Sequence, residues 1–344
     1  MKKNSFSPDE FFSGIYSSHA SPFENVSDKD ECIDICAEVK EKLGKALAIE
    51  NIPYKTEELK PEVIKSEKRK NYTVHTVSAE ICRGLNMLYY VLEPEVKTDS
   101  GIVAFCGHGY GCRQIIRQSK HGKYRRINFL DNYQKNFAEA LAVQGHLVIV
   151  PEPIGFGEAR LKKDLKKPFY GSSCDTVSHH SLLYGFSAAS FRIYQVMRCI
   201  DILQQEYGCG RIGCMGISGG GLVSLYSACL DERIEKVCVC GYINTFRTSV
   251  FSMWHCPDNY IPGLLNIGDM YDFASAVAPR KLMMQFGTRD KLFPIDGSRL
   301  AADKISAVYA AVGAKRSFTP VEFDGKHEVS LPQAIEFFNQ DNQK

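Results

Sequence analysis

The chain has a single tryptophan, no Cys-x-x-Cys pair and almost no excess of charge of either sign. Its 42 basic and 40 acidic residues leave a formal net charge of +2. That balance argues against a general nucleic-acid binder, which carries a basic excess. No run approaches the ~18 consecutive apolar residues of a membrane-spanning helix. The N-terminus, Met1-Lys-Lys-Asn-Ser-Phe-Ser-Pro8, has two lysines but no apolar stretch behind them, so it does not read as a secretory signal. No internal repeat or low-complexity tract is visible. The 13 cysteines are odd in number and scattered, and Cys106, Cys214, Cys238 and Cys240 sit inside apolar runs. There cysteine acts as a small hydrophobe, so reduced thiols in a cytoplasmic compartment are expected. No ligand cluster shows metal spacing, and neither a metal nor a cofactor is expected.

What is present suits one large α/β core. A chain of 344 residues, 44% apolar, can bury about three quarters of its unfolded surface. Ser27-Asp28-Lys29-Asp30 precedes Cys32, Ile35, Cys36, Val39, Leu43 and Leu47, a capping signal followed by helical spacing. Residues 1–75 therefore read as an N-terminal helical extension, with 57–71 as a charged linker. From Tyr72 onward, strands and helices are expected to alternate. Short apolar runs at 85–92, 102–106, 147–150, 212–217, 236–239, 282–286 and 320–323 read as strands. Helical segments are expected over 132–143, 188–206, 298–312 and from Leu331. Such alternation implies a mostly parallel, doubly wound sheet over 76–344. Two stretches break it, near 154–186 and 243–275. Both follow strands on the side where open α/β sheets bind ligands, so they are read as insertions shaping a pocket.

Gly216-Ile217-Ser218-Gly219-Gly220 lies between a strand and a helix. Gly-x-Ser-x-Gly in that setting is a nucleophile elbow, a turn tight enough to expose the hydroxyl. Ser218 would be the nucleophile and needs a base to take its proton. His327, in a Gly-rich turn after the last strand, is the candidate, with Asp290 to orient it. The order Ser, Asp, His along the chain is the one this kind of fold uses. Asp269 and Asp272 are rivals for the acid, and His179, His180 and His255 lie in the insertions. Oxyanion donors are expected from the N–H of Gly219 and from Tyr110 or Gly109 in the His108-Gly-Tyr-Gly111 loop. His108, His255 and Phe156 are expected in the substrate pocket.

With these residues in place, the sequence resembles the dienelactone-hydrolase-like and acetyl-xylan-esterase-like branch of the α/β-hydrolases, from about residue 80 to 340. The resemblance runs through His108-Gly-Tyr-Gly111, Pro151-Glu-Pro-Ile-Gly-Phe-Gly157 and Arg211-Ile-Gly-Cys-Met-Gly-Ile-Ser-Gly-Gly220. It continues in Leu230-Asp-Glu-Arg-Ile234, His255-Cys-Pro-Asp-Asn-Tyr-Ile-Pro-Gly263, Ala278-Pro-Arg-Lys281 and Asp290-Lys-Leu-Phe-Pro294. It implies the triad Ser218, Asp290 and His327 and hydrolysis of carboxylic esters, often acetyl groups on carbohydrates. A serine stands where dienelactone hydrolases proper use cysteine, which favours ester chemistry. Gly219 and His108-Gly-Tyr110 occupy the places where carbohydrate deacetylases carry Gln and Arg-Gly-Gln.

The expectation is a serine carboxylesterase acting on a small, short-chain acyl ester, with neither nucleic acid nor membrane as partner. A dienelactone-hydrolase-like or peptidase-type hydrolase, an acyltransferase with the same triad, and a fold retained only for binding are the alternatives. Arg113, Arg117, Lys120, His121, Lys123, Arg125 and Arg126 crowd one segment. That segment is either a pocket mouth for an anionic substrate or a solvated loop. A homo-oligomer follows from base rates alone.

Overall fold

Side chains of a buried parallel strand point alternately to two helix-covered faces, so both sets must be apolar. The computed structural model, which describes residues 6–109, 111–117, 132–168 and 170–340, follows that rule. Among the described residues nine strands, numbered along the chain from β1 (Glu62–Lys68), β2 (Tyr72–Cys82) and β3 (Leu85–Pro94), form one sheet in the order β1-β2-β3-β5-β4-β6-β7-β8-β9. Strands β4 (Ser100–Phe105), β5 (Leu147–Pro151), β6 (Arg211–Ile217), β7 (Ile234–Cys240), β8 (Lys281–Gly287) and β9 (Phe318–Phe323) are parallel. On β4, Val103 and Phe105 join one core with α5 (Ala188–Gln205) and α6 (Gly219–Leu230). Ile102 and Ala104 join a second core with α3 (Phe137–Val143) and α9 (Leu331–Asn339). The doubly wound sheet is thus as the alternation of apolar runs implied.

The N-terminal part differs from expectation. β1 (Glu62–Lys68), β2 (Tyr72–Cys82) and β3 (Leu85–Pro94) form an antiparallel meander with no helix between them, and β3 joins β5 antiparallel. The segment read as a linker, 57–71, therefore carries β1, an edge strand of the sheet. All but one of its side chains are exposed, so it shows no buried face to reveal it, and its charges suit an unpaired edge. Ahead of it lie α1 (Asp9–Ser18) and α2 (Lys29–Leu47). Asp28 caps α2, accepting from Glu31 N–H at 2.9 Å. The buried face Cys32, Cys36, Val39, Leu43 and Leu47 packs on α6, α7 (Met270–Ser275) and α8 (Ile295–Ala311).

α3 begins five residues later than expected. The Asn132 carboxamide accepts from Gln134 N–H at 3.0 Å, and Lys135 and Asn136 have φ of 52° and 50°. That turn cannot continue a right-handed helix. The two insertions contain short 3₁₀ turns together with α4 (Cys174–Leu183) and α7. α4 packs on the turn Pro257–Asn259, so the insertions meet beyond the C-terminal ends of the strands. Among the described residues no helix is long and apolar enough to cross a membrane.

Candidate active site

β6 ends at Ile217, and Ser218 links it to α6 at φ 58°, ψ −125°. Such a conformation costs a non-glycine residue on the order of 1–3 kcal/mol and persists only where its surroundings fix it. Ser218 N–H donates to Cys240 O at 2.9 Å, and Ser218 O accepts from Leu222 N–H at 2.9 Å. A Cβ on Gly216 would stand 2.2 Å from Gly220 O, and one on Gly220 2.2 Å from Phe105 O. The elbow is therefore closed by backbone contact, and the half-buried serine heads α6 beside its unpaired N–H groups.

His327 lies in the turn after β9, with Nδ1 2.7 Å from Asp290 Oδ2. The other carboxylate oxygen, Oδ1, accepts from the N–H groups of Leu292 at 2.8 Å and Phe293 at 3.1 Å. Since Asp290 can only accept, the His327 proton belongs on Nδ1 and Nε2 is left to take one. Tyr133 and Phe293 stack on the imidazole, with centroids at 5.7 and 5.8 Å. Gln285 of β8 clamps the turn, accepting from Ser330 N–H at 2.9 Å and donating to Ser330 O at 3.0 Å. The ring rests on Gly241, where a Cβ would lie 3.0 Å from Cε1. Gly241 follows Cys240, the partner of Ser218 N–H, so His327 and Ser218 converge on one strand end. Among the described residues no hydrogen bond yet joins them, and His327 Nε2 is buried without a partner. In free enzymes such bonds are often long and tighten on substrate.

The rivals are employed elsewhere. Asp269 caps α7 and accepts from Tyr16 Oη and Phe246 N–H, and Asp272 closes the same capping box. His179 and His180 are exposed on α4.

Tyr110 lies outside the described residues, but both flanks of its loop are tied down. Gly107 N–H donates to Gln134 Oε1 at 2.8 Å, and Tyr133 Oη donates to His108 O at 2.9 Å. On the far side, Glu152 accepts from Cys112 N–H at 3.0 Å and from Cys112 Sγ at 3.1 Å. Glu152 fills the space that side chains on Gly111 and Gly157 would need, since a Cβ there would lie 2.1 and 2.3 Å from its Oε1. Complete burial pushes this carboxyl up to about 7, against the lowering effect of the Cys112 hydrogen bonds.

His108 leans on the elbow, with Nδ1 2.6 Å from where a Gly219 Cβ would be. Its Nε2 faces Asp258 Oδ2 at 3.2 Å and Cys174 Sγ at 3.8 Å. Burial alone would lower the pKa of His108, but the Asp258 carboxylate overrides it and raises it to about 9. Arg192 of α5 donates from Nη1 to Asp258 Oδ2 and from Nη2 to Cys174 Sγ at 3.3 Å. Phe156 packs edge-on against His108 at 4.9 Å and under the Arg192 guanidinium at 4.6 Å. His255 packs on Phe293 at 5.4 Å. Its pKa is lowered by burial and by the neighbouring His108 and His327.

No family model matches the sequence. Over 274 residues the chain is 26% identical to "Putative hydrolase YtaP" of Bacillus subtilis (strain 168), covering 77% of this chain and 86% of that one. Among solved structures, a "putative acetyl xylan esterase" from Bacteroides fragilis NCTC 9343 matches with a TM-score of 0.77 at 16% identity. That match covers 94% of this chain and 84% of the other. The chain has the α/β-hydrolase fold. Methylesterase BT1017 shares this hydrolase fold at TM-score 0.70 and 20% identity over 92% of this chain, which spans 65% of that longer one. A glucuronoyl esterase from Solibacter usitatus shares it at TM-score 0.62 and 15% identity, over 86% of this chain and 91% of that one.

Several residues that build the candidate site were not singled out from sequence. Tyr133 and Gln285 have no motif, since an aromatic in a turn and a glutamine in an apolar strand each have many ordinary explanations. Glu152, Asp258 and Phe293 do sit in the stretches that carry the family resemblance. Arg192 had one usable signal, an arginine inside an otherwise apolar helix face. The basic segment is reduced as a substrate clamp, because Arg113 is ion-paired with Glu158. Arg117 is also engaged, and Lys120, His121, Lys123, Arg125 and Arg126 lie outside the described residues.

Proposed function

We propose that this protein is a serine carboxylesterase that removes short acyl groups, acetyl first among them, from carbohydrate alcohols. The reading is carried by one juxtaposition: a strained Ser218 at a strand–helix elbow, beside a His327 whose Nδ1 is held by Asp290 and whose Nε2 has no partner among the described residues. Ser218 Oγ attacks the ester carbonyl and its proton passes to His327 Nε2. The oxyanion forms against the N–H of Gly219 and the loop at Gly109–Tyr110. Collapse expels the alcohol with the proton from His327, and water then releases the acid from the acyl-enzyme. The names of the three structural relatives all describe esterases, two of them with carbohydrate substrates. Trp254, the sole tryptophan, is 78% exposed next to His255, an amphipathic ring suited to a sugar face.

The test is turnover of p-nitrophenyl acetate, butyrate and octanoate, and of acetylated xylo-oligosaccharides, by wild type and Ser218→Ala. Rates that fall with acyl length and vanish in the variant support the proposal. Activity that survives the substitution sinks it, and ester turnover confined to added alcohol acceptors would point to an acyltransferase.

A further inference from the structure

We propose that His108, Cys174, Cys256 and Asp258 form a zinc site that pins together the three segments framing the mouth of the active site. The sequence gives no hint of it, because the donors come from distant places. His108 belongs to the loop after β4, Cys174 opens α4 in the first insertion, and Cys256 and Asp258 flank Pro257 in the second. Folding brings one donor atom from each within 4.8 Å of all the others.

Geometry, chemistry and burial agree. A tetrahedron with Zn–S near 2.3 Å and Zn–N near 2.0 Å has edges of about 3.3–3.8 Å. The Nε2 of His108 stands 3.2 Å from Asp258 Oδ2 and 3.8 Å from Cys174 Sγ. Two sulfurs and an imidazole select zinc over the hard cations magnesium and calcium. Cys174, Cys256 and Asp258 are all buried, and both cysteines are free thiols. Four protein donors leave no open position, so the ion would be structural.

The surroundings complete the site. Ligating carboxylates are themselves held by hydrogen bonds. Asp258 Oδ2 accepts from Arg192, and its Oδ1 accepts from Asn259 Nδ2 at 3.0 Å. Two thiolates and a carboxylate bring three negative charges, which the ion and the Arg192 guanidinium match in full. Binding displaces the protons of the thiols and of His108 Nε2. His108 then keeps its proton on Nδ1, the nitrogen that lies against Gly219. The ion would thus set the tautomer of the side chain nearest the elbow.

The test does not involve activity, so it stands or falls apart from the esterase reading. The full chain is purified from zinc-supplemented cells, dialysed against metal-free buffer and analysed for bound metal. About one zinc per chain is expected in the wild type, with a loss of tenfold or more in Cys174→Ser and in Cys256→Ser. Cys209→Ser, a buried cysteine outside the cluster, should keep its zinc. In case the cluster variants fail to fold, cobalt is titrated into metal-stripped wild type. A near-ultraviolet thiolate-to-cobalt charge-transfer band is the expected result. Less than a tenth of a zinc per chain together with no such band overturns the proposal, and so does a Cys174–Cys256 disulfide in the protein as purified.

Discussion

Two histidine–aspartate pairs flank the elbow, and their neighbours make them different devices. In the pair His327–Asp290, backbone N–H groups hold the carboxylate oxygen that His327 does not use, and among the described residues the far nitrogen of the imidazole has no partner. In the pair His108–Asp258, a buried guanidinium sits on the same carboxylate and a thiol crowds the same imidazole nitrogen. A general base needs a nitrogen that is free to accept a proton. His327 offers its Nε2, whereas the Nε2 of His108 is engaged by Asp258 and Cys174. The second pair ties segments together through His108 Nε2 and the Asp258 carboxylate, so similar residue types yield a candidate base on one side and a brace on the other.

The sharpest way to break that contrast is to remove each carboxylate's charge. Asp290→Asn should lower kcat by about 10⁴, because the wrong imidazole tautomer is then held in place, while the urea midpoint barely moves. Asp258→Asn should act chiefly on stability. It leaves Arg192 buried without its counter-ion, at a cost of about 3–5 kcal/mol. Chemical denaturation and steady-state kinetics on the same preparations separate the two outcomes. A stable Asp258→Asn protein with the same loss of kcat would make the brace a second catalytic pair.

The first of these pairs could be read from sequence and the second could not. Ser218, Asp290 and His327 each follow a strand that shows as a short apolar run, so their place at the C-terminal sheet edge follows from topology. Asp258 and Cys174 lie in insertions without periodicity, and nothing local says that they meet His108. The strands of the parallel core were legible for the same reason, whereas β1, exposed on nearly every position, carries no pattern of burial. The start of α3 was misplaced because Lys135 and Asn136 adopt left-handed conformations that their residue types do not announce.

A smaller effect sharpens the comparison on the His108 side, where Glu152 anchors the loop. Its pKa of about 7 in the folded protein exceeds the ordinary 4.5. Between those values the folded state holds a proton that the unfolded chain has lost. Stability from this group is therefore greatest below about pH 4.5 and declines as pH rises through 7, by up to about 3 kcal/mol. Glu152→Gln should match wild type near pH 5 and exceed it in melting temperature at pH 8. Asp272, also buried and raised to about 7, adds a slope of the same sign to both proteins, so the difference between them isolates Glu152. A difference that stays constant with pH would show that Glu152 is not the titrating group.

The smallest effect tests whether the two regions communicate at all. Tyr133 touches both: its ring stacks on His327 at 5.7 Å, and its hydroxyl holds His108 O at 2.9 Å. Tyr133→Phe keeps the stack and deletes the hydrogen bond to His108 O, which is worth about 0.5–1.5 kcal/mol. If that bond sets the oxyanion loop, kcat/KM should fall by roughly twofold to tenfold with KM little changed. Tyr133→Leu loses the stack as well, frees the imidazole to tilt, and should fall further. Equal kinetics for Tyr133→Phe and wild type, with a deficit only in Tyr133→Leu, would confine the tyrosine's role to the base and leave the oxyanion loop to Gln134 and Glu152.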